Sequence, residues 1–410
     1  MGRQGKVLFE AMRNIPGLHF QAVCDIWDYN RQYGAHQVRA LQKHMPGRYV
    51  DIDEMLATEK GLDAAIIATP DCWHAPHAVK CLEAGLHVYC EKMMANTLDD
   101  ARKIVRAVER TGKVCQIGYQ RRSNPFYRYA AEVLVGQLGI CGQITGFNCQ
   151  WNRSPAFSQD IYYKKKLAIN PEILERYGFI GSDGEGDMHR FVNWRLCRAL
   201  SAGGISDLGS HQLDVCHWFT GGAPKSVMAS GTNPHFKERE VFDDVMATIV
   251  FDTPKGPVQA FAQTFSTSSG IGGHHERIMG TEASINLSEV SLLNRIVPGG
   301  QSVGSNLWSD LEVRGFIIPT LPEPEWFDTR GNRIISRPSR PLFEYTIPGS
   351  SSNKLPHQPH LENFIAAIRG TERLNCDALT AFRSEVPVHL VEQAARSGQT
   401  VRITPDQLDP

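Results

Sequence analysis

Short apolar stretches and helix-forming stretches alternate over the first third of the chain. This alternation limits the fold more than any other feature. "HFQAVCD" (residues 19–25) reads as a buried strand, and a polar helix runs from Tyr29 to about His44. A short strand near Tyr49 precedes "DIDEML", a capped helix. "LDAAIIATP" (62–70) is an apolar strand stopping at Thr69-Pro70, and "HAPHAVKCLEAG" (74–85) is a helix closed by Gly85. "HVYCEK" (87–92) is the next strand, Thr97 and Asp100 open a helix over 98–111, and "KVCQIGY" (113–119) ends the series. Residues 6–14 form a helix ahead of it. Such repeats demand a parallel sheet with right-handed crossovers. Ligands bind at the carboxyl ends of its strands, which here carry Asp25, Thr69-Pro70, Glu91-Lys92 and Tyr119-Gln120.

The chain opens "MGRQG". Gly2 and Gly5 have the spacing of the last two glycines of G-x-G-x-x-G, a dinucleotide-binding turn. Asp25 follows Gly5 at the interval of about 20 residues at which an acid holds an adenosine ribose. Gly2, Arg3, Gln4 and Asp25 are therefore candidate cofactor residues, with Thr69, Pro70, Glu91, Lys92 and Gln120 at the other strand ends. An acid at Asp25 repels a 2′-phosphate and favours NAD over NADP, although Arg3 and Arg31 temper that preference. The first glycine, and the strand that should carry it, are missing. That strand belongs in the middle of the sheet, so we expect a truncated or mis-started chain, an open slot and a weakened cofactor site.

After about Arg121 the pattern changes. "NPFYRYAAEVLVGQLG" (124–139) reads as one helix, and "QITGFNCQWNR" (143–153) as a strand with an exposed face. Residues 154–200 are too long for a simple connection and read as functional cover or an interface. "KSVMASGTN", "DVMATIVFD", "VQAFAQTFS" and "HERIMGTEASINL" read as antiparallel strands, with "DTPKGP" a hairpin turn. Residues 295–356, rich in Pro, Gly and Ser, read as a loop or arm, and the last helices return to the first domain. The expected fold class is α/β: a Rossmann-type parallel sheet lacking its first strand, plus an α+β domain with an open, mainly antiparallel sheet. The expected division is 1–120, 121–356 and 357–410.

Lys and Arg number 43 against 44 for Asp and Glu, a balance that excludes the basic surface a nucleic acid or anionic membrane requires. No apolar run reaches the length of a membrane span. Ten cysteines without a C-x-x-C pair, several inside apolar runs, point to buried thiols and a reducing compartment. The expected location is cytoplasmic, with export of a form whose leader is missing left open.

"ATPDCWHAPHAVKCLEAGLHVYCEKMMANTLDDA" and "GGISDLGSHQLDVCHW" (203–218) together resemble the Gfo/Idh/MocA oxidoreductases, the glucose-fructose oxidoreductase and inositol dehydrogenase family. The final stretch 359–403 resembles that family's C-terminal helices. The resemblance implies an NAD(P)-dependent enzyme, His74 against the cofactor, and homodimers or homotetramers built on the free sheet face. Met93 departs from the family's Glu-Lys-Pro, so Lys92 must be held by other means.

Hydride transfer from an alcohol needs a base for the hydroxyl proton beside the nicotinamide. Lys92, at a strand end, can steady the substrate oxygen. His211 is the candidate general base because imidazole titrates near neutrality. Asp207, four residues earlier on the same expected helical face, either holds a hydroxyl or orients the histidine, and Asp214 should share that side. The bland alternative is a helix start capped by Asp207 over a buried His211. Trp194 and Arg195 can line a sugar site through ring stacking and donation to hydroxyls. Trp151 and Tyr163 are weaker candidates for the same role.

His74 and His77, and "GGHHE" (272–276), lack a third ligand at a telling spacing, so no metal is expected. In "QRR" (120–122) Gln120 can touch the cofactor, while the arginines read as solvated or paired. The leading reading is an NAD(P)-dependent oxidoreductase of sugars, sugar derivatives or cyclitols. One alternative is an NAD-dependent glycosidase working by transient oxidation and elimination. Another is a non-catalytic sugar- or NAD-binding protein. The expected partner is a small carbohydrate or cyclitol.

Overall fold

A computed structural model describes residues 1–268, 273–289, 291–303, 305–320, 330, 344–349 and 354–410. The first domain carries strands β1 (Ala22–Cys24), β2 (Gly47–Tyr49), β3 (Ala64–Ile67), β4 (His87–Cys90) and β5 (Cys115–Ile117). Helices α1 (Arg3–Met12), α2 (Asp28–Gln42), α3 (Ile52–Thr58), α4 (Asp71–Glu83) and α5 (Leu98–Thr111) alternate with them. Local chemistry sets the helix ends. Asp51 accepts from the Asp53 amide at 2.8 Å to start α3, and Thr97 accepts from the Asp100 amide to start α5. Gly112 closes α5 in the left-handed region.

All strand pairs here are parallel, but they form two sheets, β2-β1 and β3-β4-β5. No hydrogen bonds join β1 to β3. Helix α1 spans the gap with side chains instead. Leu8 and Met12 share a cluster with Ala64 and Ile66 of β3, and Phe9 shares one with Val23 of β1. The expected slot is therefore present. Ala64, Ala65 and Ile66 stay half-buried, where a strand inside a parallel sheet would be enclosed on both faces.

The second domain is one ten-stranded sheet. Its strands are β6 (Ile144–Asn152), β7 (Ala223–Thr232), β8 (Asp244–Asp252), β9 (Val258–Phe265), β10 (Gly273–Gly280), β11 (Ala283–Leu287), β12 (Arg295–Pro298), β13 (Ile318–Pro319), β14 (Tyr345–Thr346) and β15 (Val401–Arg402). They lie in the order β13-β14-β12-β11-β10-β6-β9-β8-β7-β15. Every pair is antiparallel except β6–β9. Strict alternation buries Val245, Ala247, Ile249 and Phe251 of β8 on one face. The helices Gly209–Thr220 and Ala378–Ser397 cover that face.

Three expectations need correction. The stretch 295–356 is not only an arm. Its described part adds β12, β13, β14 and a helix, Leu307–Val313, because Ile296, Leu311, Ile317 and Tyr345 join the main core. The expected helix 124–139 is regular only over Pro125–Arg128, then widens over Tyr129–Gln137, where Leu138 bonds back five residues to Val133. Asp214 lies three residues after His211 on the same helix, but it does not stand open to a ligand. It is fully buried and takes a bidentate pair from Arg122 at 2.8–2.9 Å.

Residues 154–200 build a small core of their own, including Leu174, Tyr177, Phe179 and Trp194. It docks beside the first domain's strand ends: Trp73 donates to the Tyr177 carbonyl at 3.0 Å and Tyr177 to Asp51 at 2.9 Å. The C-terminal helices tie the halves together, with Gln116 donating to the His360 carbonyl and Ile117 to that of Cys376. No described helix is long and apolar enough to cross a membrane, and all ten cysteines are free.

Asp214→Ala leaves the Arg122 charge buried and unpaired. It should cost about 3–5 kcal/mol of unfolding free energy. Urea unfolding checks this, and an unchanged midpoint contradicts it.

Candidate functional site

Strand β4 ends at Cys90 and delivers Glu91 and Lys92 into the cleft between the domains. The turn after it is clamped from both sides. His74, on α4, bonds the Met93 carbonyl at 2.6 Å. Glu385, on the C-terminal helix Ala378–Ser397, accepts the Met94 amide with both oxygens at 2.9 and 3.0 Å. Tyr119 also donates to Glu385 at 2.9 Å. These contacts hold the turn that carries Lys92 and Met93. The Lys92–Met93 peptide is cis.

The Lys92 side chain, 9% exposed, reaches the second domain. Its ammonium donates to the Asp207 carbonyl, lies 3.3 Å from the Ser206 carbonyl and 4.0 Å from the Asp207 carboxylate. Asp207 is held by Arg195 at 2.9 Å and Arg153 at 3.5 Å. Burial alone would raise its carboxyl, but Arg195, Lys92 and Arg153 overcome that and hold it well below the usual carboxylate range. Burial lowers Lys92, against the pull of Asp207 and Asp71. Asp207 is not on the helix. It sits in the turn before Gly209, and Leu208 rather than Asp207 occupies the cap position. The aspartate is thus free to pair with the cations.

His211, in the first turn of that helix, is 6% exposed, and its ring lies 5.8 Å from those of Tyr119 and Trp151. Burial, then the charges of Lys92 and Arg121, drive it well below the ordinary value. The expected imidazole titrating near neutrality thus sits where its surroundings disfavour the charged form. Its Nδ1 has no hydrogen-bond partner among the described residues.

The cofactor candidates fare unevenly. Helix α1 begins at Gly2 with no side-chain cap and no acid in its first turn, so its leading amides are free to hold a phosphate. A Cβ at Gly2 would meet nothing within 4 Å. Arg3 is exposed beside that turn. Gln4 bridges Glu91 and His357, each at 3.1 Å. Asp25 stands at the end of β1, bonded to the Trp27 amide at 2.8 Å and to the Met1 ammonium at 2.7 Å. Thr69 touches His77 at 3.4 Å, and Pro70 caps α4. Gln120 turns to Glu289 at 3.4 Å. His74 is 1% exposed and stands behind the Lys92 turn, so it supports that turn from within the core. Gly2, Arg3, Gln4, Asp25, Thr69, Pro70 and Glu91 fit a dinucleotide at the α1 end and the strand ends, while Gln120 and His74 are turned to other partners.

Trp194 is buried in the core of residues 154–200 and carries the Arg195 guanidinium 4.2 Å from its ring centre. Its place is to support Arg195, not to offer a bare ring. Trp151 holds the central position. Sequence reading also passed over Asp71, in the first turn of α4, which burial pushes up to about 7. It likewise passed over Glu385, pushed up by burial to about 8. The Thr69-Pro70-Asp71 run in the stretch "ATPDCWHAPH" was the signal for Asp71. Glu385 lies in mid-helix and left no local signal.

Residues 1–119 match a family model described as an oxidoreductase family with an NAD-binding Rossmann fold, and 185–403 match its C-terminal alpha/beta domain. The chain is 30% identical over 145 residues to 4-carboxy-2-hydroxymuconate-6-semialdehyde dehydrogenase of Sphingobium sp., covering 34% of this chain and 42% of that protein. It is 26% identical over 234 residues to scyllo-inositol 2-dehydrogenase (NAD(+)) of Bacillus subtilis, covering 55% of each. Both matches span less than two thirds of the relative. In fold it is similar to scyllo-inositol dehydrogenase from Lactobacillus casei with bound NAD(H) and scyllo-inositol: TM-score 0.66 at 17% identity, covering 98% of this chain and 96% of that one.

Burial lowers four further imidazoles, His74, His217, His360 and His389, from 6.5 to about 4. The unfolded chain protonates them below 6.5 and the folded chain only near 4. The contribution of these four imidazoles to stability should therefore be full above 6.5 and fall as the pH drops toward 4, while the raised carboxyls of Asp71 and Glu385 act in the opposite sense. Urea midpoints across that window test this, and His389→Leu should flatten the slope.

Proposed function

The chain belongs to the Gfo/Idh/MocA oxidoreductase family, and on that premise we propose an NAD-dependent dehydrogenase acting on a hydroxyl-bearing carbon of a sugar, sugar derivative or cyclitol. One observation carries the reading: the Lys92 ammonium, from the parallel sheet, reaches the Ser206 and Asp207 carbonyls and the Asp207 carboxylate of the second domain, four residues before His211. When bound, NAD accepts the hydride.

The protein's own groups handle the rest. The Lys92 ammonium steadies the substrate oxygen as its proton leaves. Asp207 keeps Lys92 aimed across the cleft, and Arg195 and Arg153 keep Asp207 ionised. His211, the general base, takes that hydroxyl proton on a ring nitrogen. The amides at Gly2, Arg3 and Gln4 hold the pyrophosphate, and Asp25 the adenosine ribose, which favours NAD over NADP. Thr69, Pro70 and Glu91 border the nicotinamide end, Gln120 turns away from it toward Glu289, and Arg195 meets the substrate. Assembly as a homodimer or homotetramer through the open sheet face, and a cytoplasmic location in keeping with ten free thiols, complete the reading.

NADH absorbance over a panel of sugars and cyclitols tests it. Turnover with at least one member is expected. Lys92→Ala should lower kcat by about 10²–10⁴-fold while leaving NAD affinity within about twofold, because that change touches the reacting oxygen. Unaltered turnover contradicts the site. Release of a chromophoric aglycone without net NADH would favour the NAD-dependent glycosidase, which shares the first step. Binding of NAD and sugar without either reaction would favour a non-catalytic binding protein.

A further inference from the structure

Two stretches with no part in the scheme above fold to one place. "QRR" leaves the end of β5, and the histidines of "GGHHE" lie on β10. Between them stands Glu289, just after β11. Gln120 Nε2 lies 3.4 Å from Glu289 Oε1, and Arg121 Nε lies 3.8 Å from the same oxygen. His274 Nε2 lies 3.6 Å from the other oxygen. All three exceed the range of about 2.7–3.2 Å for a full N–H···O bond.

Gln120 and Arg121 are 6% and 0% exposed. Even so, Gln120 Oε1, Arg121 Nε and Nη2, and His274 Nε2 have no hydrogen-bond partner among the described residues. Such valences are normally filled in a folded interior. Arg121 is fixed from behind by Glu276 and lies 5.0 Å from the Trp151 ring centre. Trp151 connects this cup to the reacting end, 4.9 Å from the His274 ring and 5.8 Å from that of His211.

We propose that Gln120, His274 and Glu289 form a specificity subsite that reads hydroxyl groups of a neutral carbohydrate, away from the carbon oxidised beside Lys92. The placement of that carbon rests on the proposed dehydrogenase reading. The cup presents acceptors, Glu289 and Gln120 Oε1, together with donors, Arg121 and the Gln120 amide. A hydroxyl both gives and takes a hydrogen bond and satisfies the mixture. A carboxylate only accepts and would stand against Glu289. Burial holds His274 at about 4, so its ring brings no charge to call for an anionic partner.

The test uses the NAD-loaded full chain and ligand-observed NMR titrations of myo-inositol, methyl β-D-glucopyranoside and D-glucuronate. At least one neutral ligand should bind, and D-glucuronate more weakly. Glu289→Gln should weaken that binding about tenfold or more. Gln120→Leu, which removes the same network from another side, should weaken it too. NAD affinity and thermal midpoint, measured on each variant, should stay at the parental values, which separates lost recognition from lost folding. Unchanged affinity in both folded variants overturns the subsite and leaves water as the occupant of those valences. So does tighter binding of D-glucuronate, or no binding by either neutral compound. Neutral binding without NADH formation leaves the subsite standing and contradicts the dehydrogenase reading instead.

Discussion

One ammonium group joins the two halves of the molecule. Lys92 leaves the parallel sheet and ends on carbonyls and a carboxylate of the other domain. A cation so enclosed survives only if its charge is answered, and the answer comes from Asp207. That carboxylate is itself answered by Arg195 and Arg153. Burial, with the charges of Lys92 and Arg121, holds the His211 imidazole well below its ordinary value. The state of the histidine therefore depends in part on where the lysine points.

The lysine's direction is set far away in sequence. His74 on one side and Glu385 on the other grip the turn after β4, and Glu385 rides a helix that also packs on the big sheet. The C-terminal segment thus does more than complete a core. It fixes the turn that carries the reacting group and closes the chain through β15 onto β7. Arg122 repeats the logic nearby, locking Asp214 of the Gly209–Thr220 helix to the end of β5.

Much of the first domain was legible because its signals are local. Thr97 and Asp100 announce α5, Gly112 ends it, and short apolar runs mark each strand. The open slot between β1 and β3 could also be foreseen, since a Rossmann turn without its strand leaves a gap. The site was legible in its members but not its geometry. Spacing put Asp207 on the helix of His211, whereas it lies in the turn before Gly209, within reach of Arg195. Trp194 looked free because sequence does not show that residues 154–200 make a core of their own. Trp151, on alternating β6, gave no sign that β10 would bring His274 against it. Glu289 and Glu385 acquire meaning only through contacts made across long intervals of chain, which no local pattern encodes.

The most direct test is a crystal structure of the protein with NAD and a bound polyol. The account predicts a substrate carbon within about 3.5 Å of the nicotinamide C4, with its oxygen in hydrogen-bond reach of Lys92 Nζ and of the His211 ring. A nicotinamide lying away from the end of β4, or a polyol oxygen that meets neither group, would contradict it.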